Sequence, residues 1–504
     1  MNRQDADDIA HSLPLDDPEA AFRSGIVRVR AGHFDALAGA VREVTRRHPA
    51  HGRLWQLRGL VARALGLGGE ARDAFARAAS LLPADPLIAH SHARAALEAG
   101  DPAVALFDRA AKLAPADGSL LQGRAAAQIA EGAPERAIAD LEAILRRNPM
   151  WLDGQRTLAR IYGQLGCPPA AGVTAALDRL PAQPELHREH IHILLEAQDL
   201  AGAAAACAAA KARIGRPDWL TDLMAHIESE QGQIAAADAL FDTLPEPRDA
   251  DAVSGRARHL VRANRPDAAI ALIEPWIGRD EQRLLWPYLS LAWRMTDDPR
   301  WQWLEGHEAL VRTFDLGDSL GDLDALAHHL RRLHTALAPP LDQSVRGGTQ
   351  TDGNLLVRAE PEIEALRSTL LTAVDAYIAG LPLPEEGHPT LLPRRDPVRI
   401  AGAWSVRLEG EGFHTDHVHS QGWISSALYI ALPETSPEGA ARHEGWLSLG
   451  EARDLVPGLA PLRLIEPRPG RLVLFPSTMW HGTRPFPAGE RLTVAFDIAR
   501  PPQG

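Results

Sequence analysis

Three histidines and an aspartate crowd into GFHTDHVHS: His414, Asp416, His417 and His419. A further histidine, His481, stands in LFPSTMWHGTRPF, and Arg491 opens RLTVAF shortly after it. The chain holds 21 histidines, so a lone one carries no signal, but a cluster does. Two ligands at i and i+2 on one side of an extended segment, completed by a histidine from a distant strand, can cap one face of a metal ion. The remaining positions then stay open for substrate and dioxygen, the arrangement of non-haem iron(II) sites. An arginine on the strand after the distal histidine can reach inward and hold a carboxylate through two parallel hydrogen bonds. The competing reading is a set of surface histidines that bind nothing.

Two choices stay open for the first ligand pair. His414 and Asp416 form a His-x-Asp pair whose carboxylate lowers the charge of the site. His417 and His419 form a His-x-His pair, more cationic and nearer the next strand, and that position favours them. Side chains alternate along a strand, so the pairs face opposite ways unless the stretch bulges or loops. Trp404, Trp423 and Trp480 flank the cluster, and core packing is expected for at least two of them.

Short strands must position these groups. From Val398 onward, VRIAGAWSVRL, GWISSALYIALP, GRLVLFPS and RLTVAFDIA are brief apolar segments bounded by Gly or Pro, with no helical spacers between them. That pattern predicts an antiparallel jelly-roll barrel. Upstream lie a helical stretch, SLGDLDALAHHLRRLHTAL, a break at Pro339 and Pro340, the polar segment QSVRGGTQT and a helix over 361–379. QSVRGGTQT has no evident chemical role and reads as a solvated loop or a substrate-facing lid.

The first 300 residues repeat. Helix-closing prolines recur at Pro49, Pro83, Pro115, Pro149 and Pro181. Twelve positions before three of them the residue is small (Ala71, Ala103, Ala137), and eight before it is bulky (Phe75, Phe107, Leu141). Gly32, Gly66, Gly100, Gly132 and Gly166 keep the same period, as turns within helical pairs would. Beyond about residue 185 the period loosens, at Pro217, Pro245 and Pro275. Trp276, Trp286, Trp293, Trp301 and Trp303 crowd the end of the array and are expected to close it by packing. Such an array offers a concave groove for peptides or protein partners, or serves only as a scaffold.

The bulk numbers bound the function. A net charge of −13 argues against nucleic acid as a partner. No run is long and apolar enough to span a bilayer, and the acidic N-terminus lacks a signal-peptide core. Two cysteines, Cys167 and Cys207, are too few for a disulfide framework, which points to the cytoplasm.

Segments such as GDPAVALFDRAAKLAPADG resemble tetratricopeptide repeats, and the last 110 residues resemble double-stranded β-helix oxygenases dependent on iron(II) and 2-oxoglutarate. The likeness is strongest to the bacterial subfamily that joins such a barrel to tetratricopeptide repeats, through GRLVLFPSTMWHGTRPF, HVHSQGWISSALYIALP and the Arg491/Thr493 pair. It implies an α+β chain: a tetratricopeptide-like solenoid over 18–310, supporting helices over 311–395, and a double-stranded β-helix (jelly-roll) barrel over 396–504. It also implies Fe(II) on His417, His419 and His481, with Arg491 and Thr493 gripping the far carboxylate of 2-oxoglutarate and O2 as cosubstrate. No catalytic residue beyond the metal ligands is expected. The activity implied is hydroxylation of a protein or peptide held in the repeat groove. The alternatives are a binding scaffold with an altered, non-catalytic barrel, and an oxygenase acting on a small molecule.

Overall fold

The computed structural model describes residues 13–341, 343–420, 422–434 and 436–502. Two compact units result: the chain up to Ile144 together with Gly353–Arg367, and Leu145–Asp352 together with the chain from Ser368 onward. The first unit is a run of helices, among them Phe34–Arg47, Gly52–Ala64, Gly68–Leu81, Pro86–Ala99, Val104–Leu113 and Gly118–Ala130. Aspartates cap several starts, as where Asp85 accepts from Ile88 N at 3.0 Å. The repeat-closing prolines fall just past helix ends, and the periodic small and bulky residues (Ala71, Phe75, Ala103, Phe107, Ala137, Leu141) are all buried. Gly100 takes φ +90° beyond its helix, a conformation that costs glycine nothing. The segment from Gly353 to Arg367 lies against these helices. Ala359 N donates to Ala99 O at 3.1 Å, and Arg367 donates to Leu65 O at 2.8 Å.

In the second unit helices continue from Leu152–Gln164 through Asp218–Glu230 and Ala250–Arg262 to Trp286–Met295. Trp286 and Trp293 are buried with Val253 and Leu304, and Trp276, Trp301 and Trp303 pack at their margin. That cluster is therefore core, as expected.

Among the described residues nine strands follow: β1 (Arg312–Asp315), β2 (Val345–Gln350), β3 (Ile400–His414), β4 (Gly422–Ala431), β5 (Leu447–Leu449), β6 (Arg463–Ile465), β7 (Arg471–Pro476), β8 (His481–Thr483) and β9 (Glu490–Ala499). They form a six-stranded sheet in the order β1-β7-β4-β9-β3-β2 and a three-stranded sheet, β6-β5-β8. Every pairing is antiparallel. Tyr429, Val473 and Phe475 of the larger sheet pack against Leu447 and Leu449 of the smaller, the two-layer core of a jelly roll.

QSVRGGTQT is neither loop nor lid but largely strand β2, paired with β3. Its two glycines permit close approach. A Cβ on Gly348 would lie 2.3 Å from Arg407 O, and Gly347 holds φ +66° where the register shifts.

The helices of this unit seat directly on the barrel. Val261, Ala269, Leu291 and Ala292 form one buried cluster with Ala452, Leu455 and Trp480. Trp480 Nε1 donates to Pro287 O at 3.0 Å, and Arg294 donates to the carbonyls of Gly450 and Ala460. These contacts fix which helical side chains overlook the site.

Candidate metal centre and its two cavities

Strand β3 ends at His414, and the chain then leaves regular structure before β4 begins. A backbone bridge holds this excursion, with His417 N–H donating to His481 O and His481 N–H donating to His417 O, both at 2.9 Å. One ligand atom from each of His417, His419 and His481 lies within 4.8 Å of the others. Ring centroids are 4.2 Å apart for His417 and His481, 5.1 Å for His419 and His481, and 5.0 Å for His417 and His419.

Hydrogen bonds select the tautomers. His417 Nδ1 lies 2.8 Å from Thr415 O, and His481 Nδ1 lies 3.0 Å from Met479 O. Carbonyls only accept, so each Nδ1 carries the proton and each Nε2 keeps its lone pair. His419 Nδ1 lies 2.7 Å from an oxygen of Asp497, whose carboxylate also accepts from Ser425 Oγ at 2.7 Å. Metal-bound histidines are characteristically held this way, the far nitrogen donating to a carbonyl or carboxylate. Burial, reinforced by the neighbouring His419, pushes His417 down to about 3. Burial likewise drives His481 and His414 well below the usual histidine range. Neutral imidazoles are what a first-row divalent ion needs.

The other pair is not brought together. His414 does line the inner cavity, with Nδ1 2.9 Å from Ser344 Oγ. Asp416 points elsewhere: Arg453 holds it through Nε at 2.7 Å, Nη2 at 2.5 Å and its backbone N–H at 2.7 Å. Asp416→Ala is accordingly expected to leave metal affinity within about twofold of wild type. Stability should fall by about 2 kcal/mol, because a buried carboxylate with three donors is lost. Calorimetric titration and thermal unfolding of the variant check the two halves; a large loss of metal affinity would return Asp416 to the ligand set.

Beneath the histidines lies an inner cavity of about 50 Å³, lined by Arg491, Thr493, Phe475 and Ser426 among others. Strand alternation explains the wall: Arg491, Thr493, Ala495 and Asp497 share one face of β9, running from the cavity floor to the carboxylate behind His419. Arg491 is 2% exposed, and among the described residues it forms no ion pair with any carboxylate. Its Nε finds no hydrogen-bond partner, and its guanidinium carbon sits 5.0 Å from the Tyr429 ring centroid. Burial lowers its pKa. A desolvated, unpaired arginine is costly, and a carboxylate ligand would offset that cost. The residues present thus fit both a divalent metal and an anionic partner beside it.

Above the histidines an outer cavity of about 600 Å³ opens, and the two share Gln343, Ser344, Gln350, Trp404, His417 and His419. His417 and His419 therefore stand at the neck between them, with His481 on the inner side. Gln198, Glu230 and Arg258, all from the helical array, form part of the outer wall. Trp404 lines both cavities with its ring 5.7 Å from that of His419. Trp423 is buried and donates to Thr390 O, so it is packing. Trp480 packs on the array and also borders the outer cavity.

Asp497 was legible in RLTVAFDIA, since stepping by two from Arg491 reaches it. The array residues left no local signal, because they meet the barrel only through tertiary packing.

Comparison with known proteins bears on both parts of the chain. No curated protein matches it. A Pseudomonas putida prolyl-4-hydroxylase is 19% identical, covering 38% of this chain and 94% of its own, with a TM-score of 0.27. HygX from Streptomyces hygroscopicus, solved with nickel and 2-oxoglutarate bound, is 15% identical over 38% of this chain and 82% of its own, with a TM-score of 0.28. A tetratricopeptide repeat protein from Parabacteroides merdae is 18% identical over 45% and 91%, with a TM-score of 0.29. Residues 22–86 match the tetratricopeptide repeat family model, and residues 402–497 match the model described as "Putative 2OG-Fe(II) oxygenase".

Proposed function

We propose that this chain is an Fe(II)- and 2-oxoglutarate-dependent dioxygenase that hydroxylates a protein or peptide recruited by its helical array. The observation that carries the reading is the convergence of three imidazoles above a buried arginine that has no carboxylate partner among the described residues. His417, His419 and His481 would hold the iron, and Arg491 with Thr493 the distal carboxylate of 2-oxoglutarate. When bound, iron, 2-oxoglutarate and dioxygen supply the oxidising chemistry that hydroxylates a C–H bond.

The chain's own residues do the positioning. Asp497 fixes the ring of His419 and places negative charge behind an otherwise all-imidazole site. Phe475, 4.8 Å from His481 in an edge-on contact, restrains that ring and keeps the inner cavity apolar on one side. Trp404 bounds the neck, so a substrate in the outer cavity approaches past the histidines. We assign 18–310 to the repeat array, 311–395 to its link with the barrel and 396–504 to the barrel proper. No helix among the described residues is long and apolar enough to cross a membrane. The two free thiols, Cys167 and Cys207, suit work in the cytoplasm.

Anaerobic titration of the metal-free protein with Fe(II) and then 2-oxoglutarate tests the reading. A weak visible charge-transfer band should grow to a one-to-one end point, and air should then yield succinate. A chain that gives neither band nor succinate is not this enzyme.

A further inference from the structure

Strand β2 carries a cationic group that no carboxylate among the described residues pairs with. Ser344 and Arg346 are two residues apart, and Ser344 Oγ lies 2.9 Å from His414 Nδ1 and 3.2 Å from His417 Nε2. Arg346 lines the outer cavity beside them. Its Nη1 donates to Gln343 O at 2.8 Å and Val345 O at 2.9 Å, which anchors the base of the fork. Among the described residues Nε and Nη2 make no hydrogen bond, and no carboxylate pairs with Arg346. Asp454 lines the same cavity without closing on it. Further along the strand, Gln350 reaches both cavities with a buried Oε1 that has no hydrogen-bond donor.

The glycines make this presentation possible. Gly347 at φ +66° and Gly348 pressed against Arg407 O let β2 shift register right after Arg346. Val345 meanwhile anchors in the core with Val406 and Leu408. The segment thus holds an arginine fork and an orphan acceptor at the mouth of the site.

We propose that Arg346 is the substrate anchor of this enzyme, binding a carboxylate of a peptide that lies in the outer cavity, while Gln350 accepts a hydrogen bond from the same peptide. The inference rests on the oxygenase reading above, in which Arg491 already serves the cosubstrate. A planar guanidinium with two free donors matches a carboxylate in geometry as well as charge. The acidic group belongs to a side chain or to a chain terminus, and the same chemistry would hold either.

Ligand-observed NMR on the full chain tests this, with Zn(II) replacing iron and saturating 2-oxoglutarate filling the inner cavity. The probes are N-acetyl-glutamate amide for a side-chain acid, N-acetyl-alanine for a terminal acid, and N-acetyl-glutamine amide as the neutral control. At least one acid should bind about tenfold more tightly than the neutral probe. R346Q should remove that margin, and R346K should restore part of it. Whichever acid binds identifies the source of the carboxylate. Equal binding of acid and neutral probes by wild type overturns the proposal, as does an R346Q variant that keeps the margin. If R346Q instead weakens 2-oxoglutarate itself, Arg346 serves the cosubstrate and the substrate role is lost. Should wild type bind neither Zn(II) nor 2-oxoglutarate, the oxygenase reading fails separately. The probes are then compared on the metal-free protein, where the same acid margin and its loss in R346Q decide the role of Arg346.

Discussion

His481→Ala should abolish iron binding, with a loss of affinity of at least about 100-fold. Changing groups behind metal ligands typically costs 10- to 100-fold, and His481 is proposed to donate its lone pair directly. The neighbouring imidazoles cannot compensate. His414 is engaged by Ser344, and Asp416 is locked to Arg453, so no spare donor swings into the vacated position. The backbone bridge between His417 and His481 does not depend on the side chain, which keeps the local fold in place. Competition against a chelator gives the affinity, and far-ultraviolet circular dichroism reports whether the variant folds. His419→Ala should behave alike, while Asp416→Ala stays near wild type. Unchanged iron affinity in both histidine variants would sink the assignment.

Arg491→Met should separate ligand binding from stability. Affinity for 2-oxoglutarate should fall by about 100-fold or more, because a paired, charge-assisted contact in a buried site is removed. The unliganded protein, by contrast, should be as stable as wild type or more stable by about 1–2 kcal/mol. Methionine fills most of the volume, and its burial replaces a desolvated charge whose Nε has no partner. Thermal unfolding without ligands and calorimetry with 2-oxoglutarate measure the two effects. The idea fails if the variant binds 2-oxoglutarate normally. It also fails if the unliganded variant melts far below wild type, which would make Arg491 a structural group.

Much of the fold was legible because its signals are local. Alanines and phenylalanines at fixed distances before a proline announce helices that must pack closely, and those side chains are buried. Short apolar segments between glycines and prolines announce an antiparallel barrel, and the sheets have that form. Position near the next strand favours His417 and His419 in the sequence, but what parts the two pairs in space is not local. Alternation applies to a continuous strand, and this strand stops at His414. What turns Asp416 away is Arg453, whose place near it depends on how the loop after β5 folds back. QSVRGGTQT forms a strand rather than the expected loop or lid for a related reason: its glycines allow one strand to press against another, a contact that only tertiary pairing reveals. Gln198, Glu230 and Arg258 lie 150 or more positions before the histidines, and only tertiary packing brings them to the outer cavity.

The edges of the larger sheet carry a last consequence. Both outer strands, β1 and β2, come from chain that precedes residue 396. A fragment starting there would leave β7 and β3 with open ladders, and would bare Ala452, Leu455 and Trp480 where the helices had covered them. The barrel is therefore not a cassette that recombination could move alone. An exchange of repeats that kept the barrel folded would have to retain the last helices and the two bordering strands, leaving only the helices further upstream free to be replaced.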